Sequence, residues 1–228
     1  MKENTPVNNP IFEGCNLTIH NKSNRLIFEK FSFAINSHAI WMVQGPNGIG
    51  KTSLYESLMG IGPVESGNLI FDNQDITKMK PEERVRLGMR YIPQNNALFD
   101  DVSVLDNLTI LAQSLLSQRH QKAAIERAIK LFELESFVKK TPSQLSGGMK
   151  RRVELSKIVI GPAKLILIDE PFAAIDGERI EFLGQIFKML AKEGISFFIN
   201  DHHLEALYQI ANFCIHIENP PRIEKFSN

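Results

Sequence analysis

Apolar residues in this chain gather into short unbroken runs. Residues 39–44 (AIWMVQ), Leu165–Asp169 (LILID) and 195–200 (ISFFIN) are apolar at nearly every position and end on a polar one. A strand with one wet face alternates, whereas a strand covered on both faces does not, so these runs predict a buried parallel sheet. Residues 90–92 add a brief strand. Between the runs, 51–59 reads as a helix. The segment 121–134 (QKAAIERAIKLFEL) repeats apolar residues at helical spacing until Thr141-Pro142 breaks it. No strand signal lies between 94 and 144. Strands alternating with helices predict an α/β layer fold, and the strandless stretch predicts a helical insertion at 95–145. Residues 1–10, polar with two prolines, read as a loose lead-in to a domain over 11–228. Residues 211–225 (ANFCIHIENPPRIEK) predict a closing hairpin.

Composition narrows the function classes. The chain has 228 residues and is 43% hydrophobic, enough for a substantial core. Its 26 basic and 26 acidic side chains cancel. That argues against a nucleic-acid partner and against coating an anionic membrane. Two cysteines, Cys15 and Cys214, make neither a disulfide framework nor a zinc site. No run has the length of a membrane span, and the first residues lack the apolar stretch of a secretory signal. Any work at a membrane is expected to go through another chain.

Gly45-Pro46-Asn47-Gly48-Ile49-Gly50-Lys51-Thr52 fits G-x-x-x-x-G-K-[ST] between a strand and a helix. The glycines let the backbone turn its N–H groups inward, and the helix N-terminus adds positive partial charge. Lys51 is placed to reach β- and γ-phosphates, and Thr52 to ligate Mg²⁺. A second feature is LILIDE, where a buried strand delivers Asp169 and Glu170 to its carboxyl end, the edge at which α/β folds bind ligands. Asp169 would hold Mg²⁺ through water, and Glu170 would polarise the attacking water as general base. A third is Leu145-Ser146-Gly147-Gly148-Met149, a helix start with Ser146 as N-cap and exposed first N–H groups. Capping alone explains that pattern. A second anion site would use it too.

Together, GPNGIGKT, LSGGM and LILIDEP resemble the ordered motifs of ABC transporter nucleotide-binding subunits, over about 12–217. The resemblance implies a P-loop NTPase core of the ABC ATPase type, with a helical subdomain insertion and an N-terminal antiparallel β part. It implies ATP and Mg²⁺ as ligands, contacted by the loop residues through Ser53 and by Ser146, Gly147, Gly148 and Asp176. Gln94 (YIPQ) falls at the family's Q-loop glutamine, touching Mg²⁺ and water, although a surface glutamine after a proline turn would look the same. Asp176 fits the D-loop and is equally an N-cap. His202 matches the switch histidine that contacts the γ-phosphate, with His203 as rival. In the family, Ser146 and Gly148 would act on ATP held by the opposite subunit. A homodimer or paired ATPase subunit follows, as does a membrane-spanning partner that keeps the protein at the cytoplasmic face of the membrane.

Some positions depart from the pattern. Met149 replaces the usual glutamine, Gly177 a common proline, and His38-Ala39 a common Gly-Glu. The adenine-stacking aromatic would fall at Lys22, which is no aromatic; His20 is the nearest ring that could stack. DEPFAAID and INDHHLEAL are similar to the lipopolysaccharide-export ATPases, and less specifically to the branched-chain amino acid importer ATPases. A soluble ABC ATPase serving assembly or repair is the alternative of another class. In 91–108, Leu98, Phe99, Val102, Val104 and Leu105 follow Gln94. The family receives a membrane-subunit helix there. Val104 and Leu105 are expected in the core and Phe99 on the surface.

Overall fold

The computed structural model describes residues 10–21, 23–94, 98–217 and 222–226. The chain runs β1 (Pro10–His20), β2 (Leu26–Asn36), β3 (Ile40–Gln44), α1 (Lys51–Leu58), β4 (Val64–Phe71), β5 (Gln74–Asp75), α2 (Pro81–Leu87) and β6 (Met89–Ile92). It continues α3 (Val104–Leu115), α4 (Gln118–Leu131), α5 (Gly147–Ser156), β7 (Leu165–Asp169), α6 (Gly177–Lys192), β8 (Ser196–Asn200), α7 (Leu204–Ile210), β9 (Phe213–His216) and β10 (Arg222–Lys225). A 6-stranded sheet has the order β10-β9-β3-β8-β7-β6, parallel from β9 to β6, with β10 antiparallel at the edge. A 4-stranded antiparallel sheet, β2-β1-β4-β5, packs beside it.

The unbroken apolar runs are the central strands. β7 and β8 are buried at every residue, and β3 at all but Gln44. Their two faces feed different clusters. Met42, Ile166, Ile168, Phe197 and Ile199 join the helical side, while Trp41, Val43, Leu165, Leu167 and Phe198 join α1 and the antiparallel sheet. That two-sided burial fixes the register in which β3 and β7 end side by side with β8, and so fixes where Gly45, Asp169 and Asn200 emerge.

Three details correct the reading from sequence. β1 already begins at Pro10, which pairs with Asn36, while 1–9 lie outside the described residues. The expected helix at 121–134 is α4, shifted to Gln118–Leu131. Phe132 and Leu134 are fully buried in the exit turn, where Leu134 N–H bonds the Ile129 carbonyl at 2.9 Å. A further helix, α3, precedes it, N-capped by Ser103, whose hydroxyl accepts from Asp106 N–H at 3.1 Å. Its spacing sends Val104, Leu108 and Ala112 inward, leaving Leu105 39% exposed against expectation. No described helix is long and apolar enough to cross a membrane.

Candidate nucleotide site

The loop from Gly45 to Gly50 links β3 to α1 and needs its glycines at two points. Gly48 has φ +74° and Gly50 φ +102°, in the left-handed region that side chains disfavour. At Gly50 a Cβ would also stand 2.1 Å from Ile27 Cγ2, so β2 lies against the loop. Ile49 turns its side chain toward the core, leaving its backbone to the loop. Lys51 Nζ donates to the carbonyls of Gly45 at 2.8 Å and Pro46 at 3.2 Å. Burial lowers the Lys51 pKa, opposed by the charges of Asp169 and Glu170. An arriving phosphate would supply further negative charge.

Across the loop, Thr52 Oγ1 donates to Asp169 Oδ2 at 2.6 Å. Asp169 is nearly fully buried, and its other oxygen accepts from Asn200 Nδ2 at 2.7 Å. Glu170 follows with φ +52°, unusual for a side chain of its size. Its N–H bonds the Asn200 carbonyl at 2.9 Å, and its carbonyl accepts from Arg151 Nη2 at 3.2 Å. Both carboxylate oxygens are engaged: Oε2 by Gln94 Nε2 at 2.6 Å, and Oε1 by His202 Nε2 at 2.8 Å. The structure thus brings His202, not His203, to Glu170. His203 Nδ1 instead pairs with Asp201 at 2.9 Å.

A cavity of about 340 Å³ joins these groups. Asn47, Gly48, Gly50, Lys51, Thr52, Ser53, Asp169, Glu170, Asn200 and His202 line it, with Asn21 and Arg25 from the β1–β2 connection and Ile27 from β2. Gly45 and Pro46 line an adjoining space of about 520 Å³ with Asp201 and His202. Hydroxyl, carboxylate and amide oxygens are hard donors of the kind Mg²⁺ takes, so Thr52, Asp169 and Gln94 suit that ion. His20 does not line the cavity; it pairs with Glu65 at 2.9 Å and borders a separate recess. The ring considered for base stacking is therefore engaged elsewhere, and Lys22 lies outside the described residues.

Ser146, Gly147, Gly148 and Asp176 are not among the residues lining the phosphate-loop cavity. Ser146 Oγ caps α5 by accepting from Met149 N–H at 3.3 Å, and Asp176 caps α6 by accepting from Arg179 N–H at 3.1 Å. A Cβ on Gly148 would stand 2.9 Å from the Ala174 carbonyl. Gly147 borders another recess, of about 270 Å³, with Gln94, Arg151 and Ala174. Gln94 lines this recess and reaches the phosphate-loop cavity through its bond to Glu170.

Reasoning from sequence overlooked two residues. Asn200 ends β8 beside Asp169 in register, a signal available once two parallel strands are aligned. Arg151 hides in the run Lys150-Arg151-Arg152, which reads as a solvated face. Its buried guanidinium bonds Glu154 at 2.7 Å and the carbonyls of Pro93 at 2.8 Å and Asp169 at 2.6 Å.

The sequence profile of the ABC transporter family matches residues 28–173. The lipopolysaccharide export system ATP-binding protein LptB of Escherichia coli K12 is 34% identical over 182 residues, covering 79% of this chain and 76% of LptB. The spermidine/putrescine import ATP-binding protein PotA of Haemophilus influenzae is 31% identical over 205 residues, 89% of this chain but 54% of PotA. In fold, the chain is similar to the dimeric bacterial ABC transporter cassette MJ0796, with a TM-score of 0.85 at 21% identity over 95% of this chain and 99% of that one. A nucleotide-free ATP-binding cassette from an ABC transporter superposes with a TM-score of 0.82 at 21% identity, covering 96% and 92%.

Proposed function

Since this chain belongs to the ABC transporter family and is an ATP-binding ATPase subunit of a transporter, we propose that it hydrolyses ATP with Mg²⁺ to drive transport through a separate membrane-spanning subunit. The observation that carries this reading is the clamp on Glu170, a carboxylate at the end of β7 with Gln94 and His202 on its two oxygens, facing Lys51 and Thr52 across one cavity.

In this reading the glycines of 45–50 and the N–H groups leading into α1 receive the phosphates, and Lys51 turns from its loop carbonyls to the β- and γ-oxygens. Thr52, Asp169 and Gln94 would hold Mg²⁺, which when bound neutralises charge on the β- and γ-phosphates. Glu170 accepts a proton from water as that water attacks the γ-phosphorus. The bond to the β–γ bridging oxygen breaks and ADP leaves. His202, bonded to Glu170, orients it and faces the γ-phosphate. Ser146, Gly147, Gly148 and Asp176 serve the ATP of a second ATPase subunit, so two nucleotides lie between two chains. The ATPase domain runs from the strand that Pro10 opens, with 95–145 as its helical subdomain. The similarity to LptB favours export of a lipid-like substrate, and the similarity to PotA keeps import as the second reading. The partner subunit would hold the protein at the cytoplasmic membrane face.

The test is Glu170→Gln. Turnover should drop at least ~100-fold, the lower range for a lost general base, while ATP binding persists. With ATP, light scattering should show this variant as a dimer. Wild-type turnover would remove Glu170 from its role, and an unchanged mass at saturating ATP would count against the paired arrangement. The membrane subunit that co-purifies with the chain decides between export and import.

A further inference from the structure

Asn200 stands at the carboxyl end of β8, one strand from Asp169 and in register with it. It is 1% exposed, yet it lines the phosphate-loop cavity. Its side chain is half-satisfied. The atom facing Asp169 Oδ1 at 2.7 Å must be the donor, since an ionised carboxylate only accepts. That assigns Nδ2 to Asp169 and leaves Oδ1 at the opposite corner of the amide. Oδ1 is buried and has no protein partner. A buried amide oxygen left unpaired costs stability, so a native structure that keeps one calls for an explanation.

We propose that Asn200 is a positioning residue of the divalent-cation site, holding Asp169 Oδ1 by its amide N–H so that Oδ2 stays turned to Thr52 and the cation. This rests on the Mg²⁺ reading given above. Asp169 then has both oxygens directed: Oδ1 is tied to Asn200, and Oδ2 is turned to Thr52 at 2.6 Å. Without Asn200 the carboxylate is free to rotate and share its oxygens differently. The Asn200 backbone carbonyl meanwhile fixes Glu170 N–H at 2.9 Å. One residue thereby sets both carboxylates, the first through its side chain and the second through its main chain. A side-chain substitution separates the two.

The experiment uses the full chain carrying Glu170→Gln, loaded with ATP, and titrates Mn²⁺ as the probe by electron paramagnetic resonance. Adding Asn200→Leu, similar in size and unable to hydrogen-bond, should weaken Mn²⁺ affinity by about 10–100-fold, as losses of outer partners do. ATP affinity measured in EDTA should stay within a few-fold. Mn²⁺ affinity equal to the parent's would overturn the proposal. Should the leucine variant not fold, as shown by loss of its thermal transition, Asn200→Ala carries the test, with a several-fold loss expected and an unchanged affinity again overturning it. A parent protein whose ATP binding ignores Mn²⁺ altogether would instead refute the cation reading on which the proposal stands.

Discussion

Arg151 donates a hydrogen bond of 2.6 Å to the backbone carbonyl of Asp169, tying the helix that starts at the Ser-Gly-Gly turn to the strand that carries the carboxylates. The same guanidinium holds Pro93, the residue before Gln94, and the Glu154 carboxylate. Lysine cannot span these acceptors, because it presents a point charge in place of a planar fork.

Arg151→Ala should therefore destabilise the fold by ~3 kcal/mol, since it removes the guanidinium bonded to a largely buried Glu154 carboxylate and frees the carbonyls. For a domain of this size that lowers Tm by roughly 6–12 °C. Arg151→Leu combined with Glu154→Leu should recover part of the loss. Calorimetry on the single and double variants checks this. A double variant no more stable than the single would show that the backbone carbonyls, not the ion pair, set the cost.

Much of this fold could be read directly from the chain because two-sided burial writes itself as unbroken apolar runs, and β7 is found where LILID stands. The antiparallel sheet was harder to read. Register shifts between Gly14 and Leu17 and again near Ile19, with Asn16 at φ +50°, break the alternation that would have announced β1. At the site, Lys51, Thr52, Asp169 and Glu170 announce themselves by local spacing. Asn200 and Arg151 do not, because what makes them matter is a partner on another element. Leu105 was misjudged for a simpler reason: once Val104 faces inward, its neighbour is turned about 100° around the helix.

Gly50 and Gly177 offer a contrast. At Gly50 both φ +102° and the contact with Ile27 oppose a side chain, while at Gly177 φ is ordinary and no atom lies within 4 Å of an added Cβ. Gly50→Ala should cost more than ~1 kcal/mol and weaken ATP binding at least several-fold, whereas Gly177→Ala should change stability by no more than ~1 kcal/mol, toward greater stability. Paired thermal melts with and without ATP read both. Equal melts for the two variants would refute the packing of Ile27 against the loop.

Phe99 is 59% exposed, and the buried Asn107 is the reason. Asn107 Oδ1 accepts from Phe99 N–H at 2.8 Å and its Nδ2 donates to the Phe99 carbonyl at 3.0 Å, so the backbone is pinned while the ring points outward. If the ring anchors a helix of the membrane subunit, Phe99→Ala should release the protein from the membrane fraction, a loss of ~2 kcal/mol or more. ATPase activity of the purified subunit should stay within a few-fold. Unchanged membrane association would take Phe99 out of the interface.

The two thiols should differ in reactivity. Burial, reinforced by the Glu224 charge, pushes the Cys214 pKa up to about 12, and a smaller burial effect with Glu13 raises that of exposed Cys15. A raised pKa means less thiolate at a given pH, and the thiolate is the nucleophile. At pH 8, iodoacetamide should modify Cys15 slowly and leave Cys214 intact, with both reacting in denaturant. Mass spectrometry of the folded protein giving two adducts at equal rates would contradict the buried position of Cys214.

The separation of Ser146 from the cavity that Lys51 lines has a genetic corollary, if two chains share each nucleotide. A chain inactivated at Lys51 and a chain inactivated at Ser146 are each inert as a pair with their own kind. Mixed together, they leave one nucleotide facing two damaged halves and the other facing two sound ones. Co-expression of the two null alleles would then restore a single working centre per assembly, a partial complementation that two alleles damaged at the same residue could never give.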